Sequence, residues 1–179
     1  WKRCVADGRP FAASLRVRSH ADGTYRWHLA SARAIRDDRG AIVKWFGSAT
    51  DIHERMEAEA ALRASEEKLR AIFETEPECV KIVSREGHLL DMNPAGLRLI
   101  EAVEAAAVRG HMVEELVHPD DRPTYRRIHE DASAGQPAQG QFRVIGLLGG
   151  ERWLETHAVP MRLADGAVGS VLSVSRDVT

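Results

Sequence analysis

Residues 142–178 read FRVIGLLGGERWLETHAVPMRLADGAVGSVLSVSRDV, and residues 15–52 read LRVRSHADGTYRWHLASARAIRDDRGAIVKWFGSATDI. The two stretches run in step. An Arg-Val pair (Arg16-Val17, Arg143-Val144) leads through a Gly turn (Gly23, Gly150) to Arg-Trp (Arg26-Trp27, Arg152-Trp153). A Gly-Ala turn follows (Gly40-Ala41, Gly166-Ala167), and each copy closes on Asp and an aliphatic residue (Asp51-Ile52, Asp177-Val178). Within each copy apolar residues alternate with polar ones between the glycine turns, the pattern of an antiparallel three-strand meander. An internal repeat of this length dictates the organisation of the whole chain.

Between the copies the period changes. From Asp51 the sequence is rich in Ala, Glu, Arg and Leu, and Asp51 with Glu54 three residues on matches a capping box that opens a helix. The spacing predicts a helix over 53–73, with a second start at Ser65-Glu66-Glu67 and a break near Ala64. Ala58, Leu62, Ser65, Leu69 and Ile72 recur at alternating steps of four and three, which is the seam of a two-stranded coiled coil or a stripe lying on the helix's own domain. After Pro77, Cys79 to Val83 and His88 to Asp91 read as two strands turning at Glu86-Gly87. Asn93 caps a helix whose first turn carries Pro94, with helical character over Ala95 to Ala107. His118-Pro119-Asp120-Asp121 opens a longer helix that runs to about Ala134, where Gly135-Gln136-Pro137 stops it.

Composition bounds the function. The chain has 179 residues, 44% of them apolar, and a formal net charge of −2 with both signs mixed throughout. That leaves no basic face to follow nucleic acid, no polybasic membrane patch and no apolar run long enough to cross a bilayer. Cys4 and Cys79 stand far apart without metal or redox spacing, so both read as reduced, packed thiols and the compartment as cytoplasmic. No P-loop, HExxH or GxSxG motif is present, and Gly146-Leu147-Leu148-Gly149-Gly150 lacks the Lys and Ser/Thr of a phosphate loop, so no catalytic residue and no metal site is expected. The chain starts at Trp1 and stops as the second repeat completes, which reads as a segment of a longer protein.

Two strands, short helices, one longer helix and three strands, in that order, resemble the PAS family. The likeness is carried by Ser65-Glu66-Glu67-Lys68-Leu69-Arg70, Asn93-Pro94-Ala95, His118-Pro119-Asp120-Asp121-Arg122, Phe142-Arg143-Val144, Arg152-Trp153 and Arg176-Asp177-Val178-Thr179. It implies an α+β fold, a five-stranded antiparallel sheet with helices on one face. Residues 74–179 would be a whole domain, 1–52 the second half of another, and 53–73 the connector. The half-domain would need cover, from a partner chain or from elements outside this sequence.

The resemblance further implies a ligand pocket between sheet and helices, for which Ile82, Leu97, Ile128, Phe142, Val144, Trp153, Leu172 and Val174 are the candidates, although the same residues would also serve as closed core. A cofactor-free domain is the expectation. Haem would take His129, on the longest helix, as axial ligand, and a small organic molecule is the other occupant the fold allows. The light-sensing branch is argued against, because Gly110 is followed by His111-Met112-Val113-Glu114 and not by a reactive Cys. Asp51 and Asp177 mark where strand gives way to helix, as caps or as points where a signal leaves the sheet. The parent expected from tandem domains of this kind is a bacterial sensor histidine kinase that dimerises through the connector. A cyclic-di-GMP synthase or hydrolase, or a ligand-free dimerisation scaffold, are the alternatives.

Overall fold

The computed structural model describes residues 1–179. They fall into two units, 1–67 and 68–179. In the first, a short helix α1 (Lys2–Asp7) precedes an antiparallel sheet of β1 (Phe11–Arg18), β2 (Tyr25–Arg36) and β3 (Ile42–Asp51), paired in sequence order. Gly23 and Gly40 turn these strands at φ of 72° and 81°, the left-handed region that only glycine enters cheaply. The register sets Phe11 against Ala32, Ala13 against Ala30 and Ala34 against Trp45, so one face is lined by aromatic and small apolar residues. Trp1 packs edge-on to Phe11 and Trp45 at 5.5 and 5.2 Å. The six residues of α1 are far short of a helical layer, and Ile52 is the one apolar side chain buried in this unit.

From His53 to Thr75 the chain forms one continuous helix, α2, without the expected break at Ala64 and two residues longer than expected. Ion pairs of i,i+4 spacing, Arg55–Glu59, Arg63–Glu67 and Arg70–Glu74, run along it. They bridge the point where a Ser65 cap would have restarted the helix. No residue of α2 is buried; Leu62, Leu69 and Ile72 are 61%, 64% and 53% exposed, with Ala58 and Ser65 equally open.

The second unit is α+β. Strands β4 (Cys79–Ser84) and β5 (Leu89–Met92) lead to α3 (Pro94–Leu99), three 3-10 turns, α4 (Arg122–Ser133), and then β6 (Ala138–Ile145), β7 (Glu151–Arg162) and β8 (Val168–Asp177). The sheet is antiparallel in the order β5-β4-β8-β7-β6. Asn93 caps α3 as its position foretells, accepting from the Gly96 N–H at 2.9 Å. Helix does not persist to Ala107, because Glu101 takes a positive φ of 60° and its carboxylate accepts N–H bonds from Leu148 and Gly150 in the β6–β7 turn. Helix α4 packs against β6, and α3 against β4, so the core lies between one face of the sheet and the helices. Ile128 and Phe142 are at most 2% exposed there, a burial that contributes about 1.5–3 kcal/mol each.

Candidate functional site

Strand register decides which side chains face the helices. Cys79, Lys81 and Val83 of β4 are buried, as are Phe142 and Val144 of β6, Leu154, Thr156 and Ala158 of β7, and Val171, Ser173 and Ser175 of β8. Alternation therefore sends Ile82, Leu172, Val174 and Trp153 to the opposite face. There Ile82 pairs with Leu172, and the Arg143 guanidinium lies over the Trp153 ring at 5.3 Å. These four were expected in the pocket and are not in it. Ile128, Phe142 and Val144 do reach the interior, and Leu97 packs at its margin. The error has a physical origin: β4 and β8 carry branched apolar residues on the outer face and Lys81, Ser173 and Ser175 on the inner, so hydrophobicity pointed to the wrong phase.

The inner face is consequently polar along one row. Lys81 is 4% exposed and its Nζ donates to Ser175 Oγ at 2.8 Å; Ser175 in turn lies 2.8 Å from Thr156 Oγ1. No carboxylate stands within 4.0 Å of Lys81, which takes part in none of the ion pairs of the molecule. A cavity of about 20 Å³ lies against Lys81, walled by Cys79, Phe142, Val144 and Leu154. Met92, Val113 and Leu116 also line a second cavity of about 120 Å³, whose other walls include His111 and Glu115. Sequence periodicity did not single out Lys81; its signal was a charged residue inside an otherwise apolar strand.

His129 faces elsewhere. Its Nε2 lies 3.1 Å from the Arg85 carbonyl oxygen and 3.4 Å from Ser133 Oγ, and the ring stacks on Tyr125 at 6.0 Å. It lines neither of these two cavities but a third, of about 220 Å³, walled by charged side chains including Glu86, Glu114, Arg126 and Glu130. With Nε2 turned to the Arg85 carbonyl and away from the sheet-facing core, His129 is not placed as the axial ligand of a haem in that core. Tyr125 sits between His129 and Phe142; burial, with the Glu114 charge second, pushes its phenol above the ordinary value.

Both strand ends repeat one device. Arg26 donates to Asp51 Oδ2 at 2.6 Å while Asp51 Oδ1 accepts from the His53 N–H at 2.9 Å. Arg152 lies 3.7 Å from Asp177 Oδ2 while Asp177 Oδ1 accepts from the Thr179 N–H at 3.0 Å. The capping box expected at Asp51 and Glu54 is not formed; Glu54 turns to Arg26 at 3.5 Å instead, since a guanidinium offers a stronger partner than a backbone amide. Asp51 is held below the ordinary carboxylate value by the His53 amide and then by Arg26, and Asp177 by the Thr179 hydroxyl and amide.

A family model described as the PAS fold matches residues 73–179, and one described as a PAS domain matches residues 2–54. Among curated proteins, the chain is 28% identical along its whole length to the uncharacterized protein y4lL of Sinorhizobium fredii, covering 22% of that protein. It is 32% identical over 121 residues, 68% of this chain and 24% of the other, to the sensor protein FixL of Bradyrhizobium diazoefficiens. The chain thus spans under a quarter of the length of these relatives. A solved domain of the sensory box sensor histidine kinase/response regulator from Geobacter sulfurreducens superposes with a TM-score of 0.54 at 25% identity, over 65% of this chain and 96% of that one. The sheet order, the single helical layer and the match over most of the chain's length establish that it belongs to the PAS family of sensory domains.

Proposed function

We propose that the chain is the sensory region of a histidine kinase, in which residues 1–52 are the second half of one PAS domain, 53–73 begin a signalling helix and 74–179 form a complete second domain. The observation that carries this reading is the repeated Arg–Asp pair at the last strand of each sheet. In the first copy it ties β2 to β3 at the residue where α2 begins, so a change in sheet geometry is felt at the helix start. The similarity to FixL and to the Geobacter kinase domain supports a kinase output. The exposed row at Ala58, Leu62, Ser65, Leu69 and Ile72 supports pairing of two copies through α2.

The test is autophosphorylation of the full-length protein with labelled ATP, comparing wild type with Asp51→Ala. A kinase with altered basal or stimulated phosphorylation in the variant, while the helix and sheet content is retained, is the expected result. Output identical to wild type would remove Asp51 from signal transfer. A full-length protein that instead makes or cleaves cyclic di-GMP would replace the kinase by the second output, and one with neither activity would leave a pairing scaffold.

A further inference from the structure

The β6–β7 turn takes its capping carboxylate from the helical layer. The three other turns of the two meanders supply their own: Asp22 accepts from the Thr24 N–H at 3.2 Å, Asp37 from the Arg39 and Ala41 N–H groups at 3.0 and 2.9 Å, and Asp165 from the Ala167 N–H at 3.0 Å. Gly146-Leu147-Leu148-Gly149-Gly150 contains no such residue. Its Leu148 and Gly150 N–H groups donate instead to Glu101 Oε2 at 2.9 and 3.2 Å, across 47 and 49 residues of sequence. The Leu147 N–H donates to the neighbouring Ile100 carbonyl oxygen at 2.9 Å.

The residue types at positions 101, 146 and 150 are explained by this contact. Helix α3 ends in a Schellman motif, with the Ala102 N–H on the Leu97 carbonyl oxygen at 2.8 Å and the Glu101 N–H on that of Arg98 at 3.1 Å. Glu101 holds the left-handed position of that motif at φ 60°, the only non-glycine residue of the chain at positive φ. Glycine is the ordinary occupant there, and a Cβ is strained. Such strain persists only where other contacts hold it, and here the carboxylate supplies them. At Gly146 and Gly150 the situation is reversed: neither takes a positive φ, so neither is required by the backbone, yet a Cβ on either would collide with the Glu101 carboxylate.

What the turn positions lies immediately beyond it. Arg152 lies 3.7 Å from Asp177 Oδ2, the Trp153 carbonyl oxygen accepts from the Val178 N–H at 2.9 Å, and the Trp153 N–H donates to Thr179 Oγ1 at 3.0 Å. Arg152 and Trp153, which follow closely on Gly150, thus fasten 177–179 to the sheet. From this arrangement we infer that Glu101 is a latch, a positioning residue through which the end of α3 fixes the β6–β7 turn and, by way of Arg152 and Trp153, the point where the chain leaves β8. Release of the carboxylate frees the turn and shifts that exit. As a route for a signal the latch rests on the sensory reading above; as a mechanical coupling it is a property of the second unit by itself.

Two variants break the latch from opposite sides. Glu101→Gly removes the carboxylate and relieves the left-handed strain, so α3 keeps its end; Gly150→Ala expels the carboxylate and leaves residue 101 in place. In the 15N-labelled 179-residue protein each variant is expected to speed hydrogen exchange of the Leu148 amide by about tenfold or more and to shift the Val178 and Thr179 amide resonances. An unchanged Leu148 rate in Glu101→Gly, or unmoved Val178 and Thr179 resonances in both variants, would overturn the inference. Urea unfolding of the double variant checks the cause: Gly150→Ala should destabilise the wild type and not the Glu101→Gly background, and equal destabilisation of both counts against the latch. A measurement on the wild type guards against variants that do not fold. There the Leu148 amide, on a residue 84% exposed, must exchange about tenfold or more below its open-chain rate, and exchange at the open-chain rate excludes a latched turn. The sensory reading fails separately, by the autophosphorylation test, since a shifted exit without any effect on output leaves the coupling standing and removes the relay.

Discussion

Arg26 and Asp51 in the first sheet stand in the same relationship as Arg152 and Asp177 in the second: the arginine of the Arg-Trp pair reaches the aspartate that ends the last strand, and that aspartate's other oxygen takes the N–H two residues on. The tryptophans match as well, with Arg16 over Trp27 at 5.8 Å and Arg143 over Trp153 at 5.3 Å. A repeat in sequence has become a repeat in geometry, at the place where each strand releases the chain.

The depressed aspartates make stability depend on acid. Asp51, Asp121 and Asp177 all lie below their ordinary value of 3.8, Asp121 chiefly through its hydrogen bond from Arg143. A carboxylate whose folded value is lowered stabilises the fold fully above the unfolded value, and that contribution is lost as the pH falls through the lowered folded one. Circular dichroism on acid titration should show stability dropping below pH 3.8, with a shallower fall in Asp121→Asn. An unchanged slope in that variant would remove Asp121 from the acid response.

The two faces of the second sheet should respond differently to truncation. Phe142→Ala empties a site that is 1% exposed and should cost about 3–5 kcal/mol in urea unfolding. Val174→Ser, on the outer face, should cost about 1 kcal/mol or less. Equal costs would mean that the inner and outer assignments are wrong.

Asn93 is fully buried and satisfies four backbone groups. Its Oδ1 accepts from the Val80 and Gly96 N–H groups at 3.0 and 2.9 Å, and its Nδ2 donates to the Glu76 and Glu78 carbonyl oxygens at 3.1 and 2.9 Å. Asn93→Ala leaves these groups without a partner and should cost on the order of 3 kcal/mol or more, whereas Asn93→Asp keeps the acceptor bonds and loses the donors. Thermal unfolding of the two variants should rank them in that order below wild type.

Pairing through α2 is tested by charge. Leu62→Glu with Leu69→Glu should convert a dimer to a monomer in sedimentation velocity, because both side chains are more than half exposed and lie on one stripe. Wild-type protein sedimenting as a monomer would exclude the helix as an interface.

The strands, the two long helices and the turns between them were readable from the chain because each depends on local chemistry, whereas the short helix α1 was not expected and α3 ends at Leu99, well before Ala107. Glycines enter left-handed turns, Asn93 caps α3, and the four-three spacing makes α2 helical wherever it lies. The pocket was read less well. Ile82, Leu172, Val174 and Trp153 alternate as faithfully as Phe142 and Val144, and alternation states only that two faces exist. It does not say which is covered.

The sequence by itself determined the family, the repeated meander and the aspartate that closes each copy, because each of these is written in short motifs whose residue types and order are visible without a fold. Tertiary structure alone decided that Lys81, Ser175 and Thr156 face inward, that His129 turns to the Arg85 carbonyl, and that Glu101 closes the β6–β7 turn. Those facts arise from strand register and helix placement, where a shift of one residue exchanges core for surface and where the partners lie up to 94 residues apart.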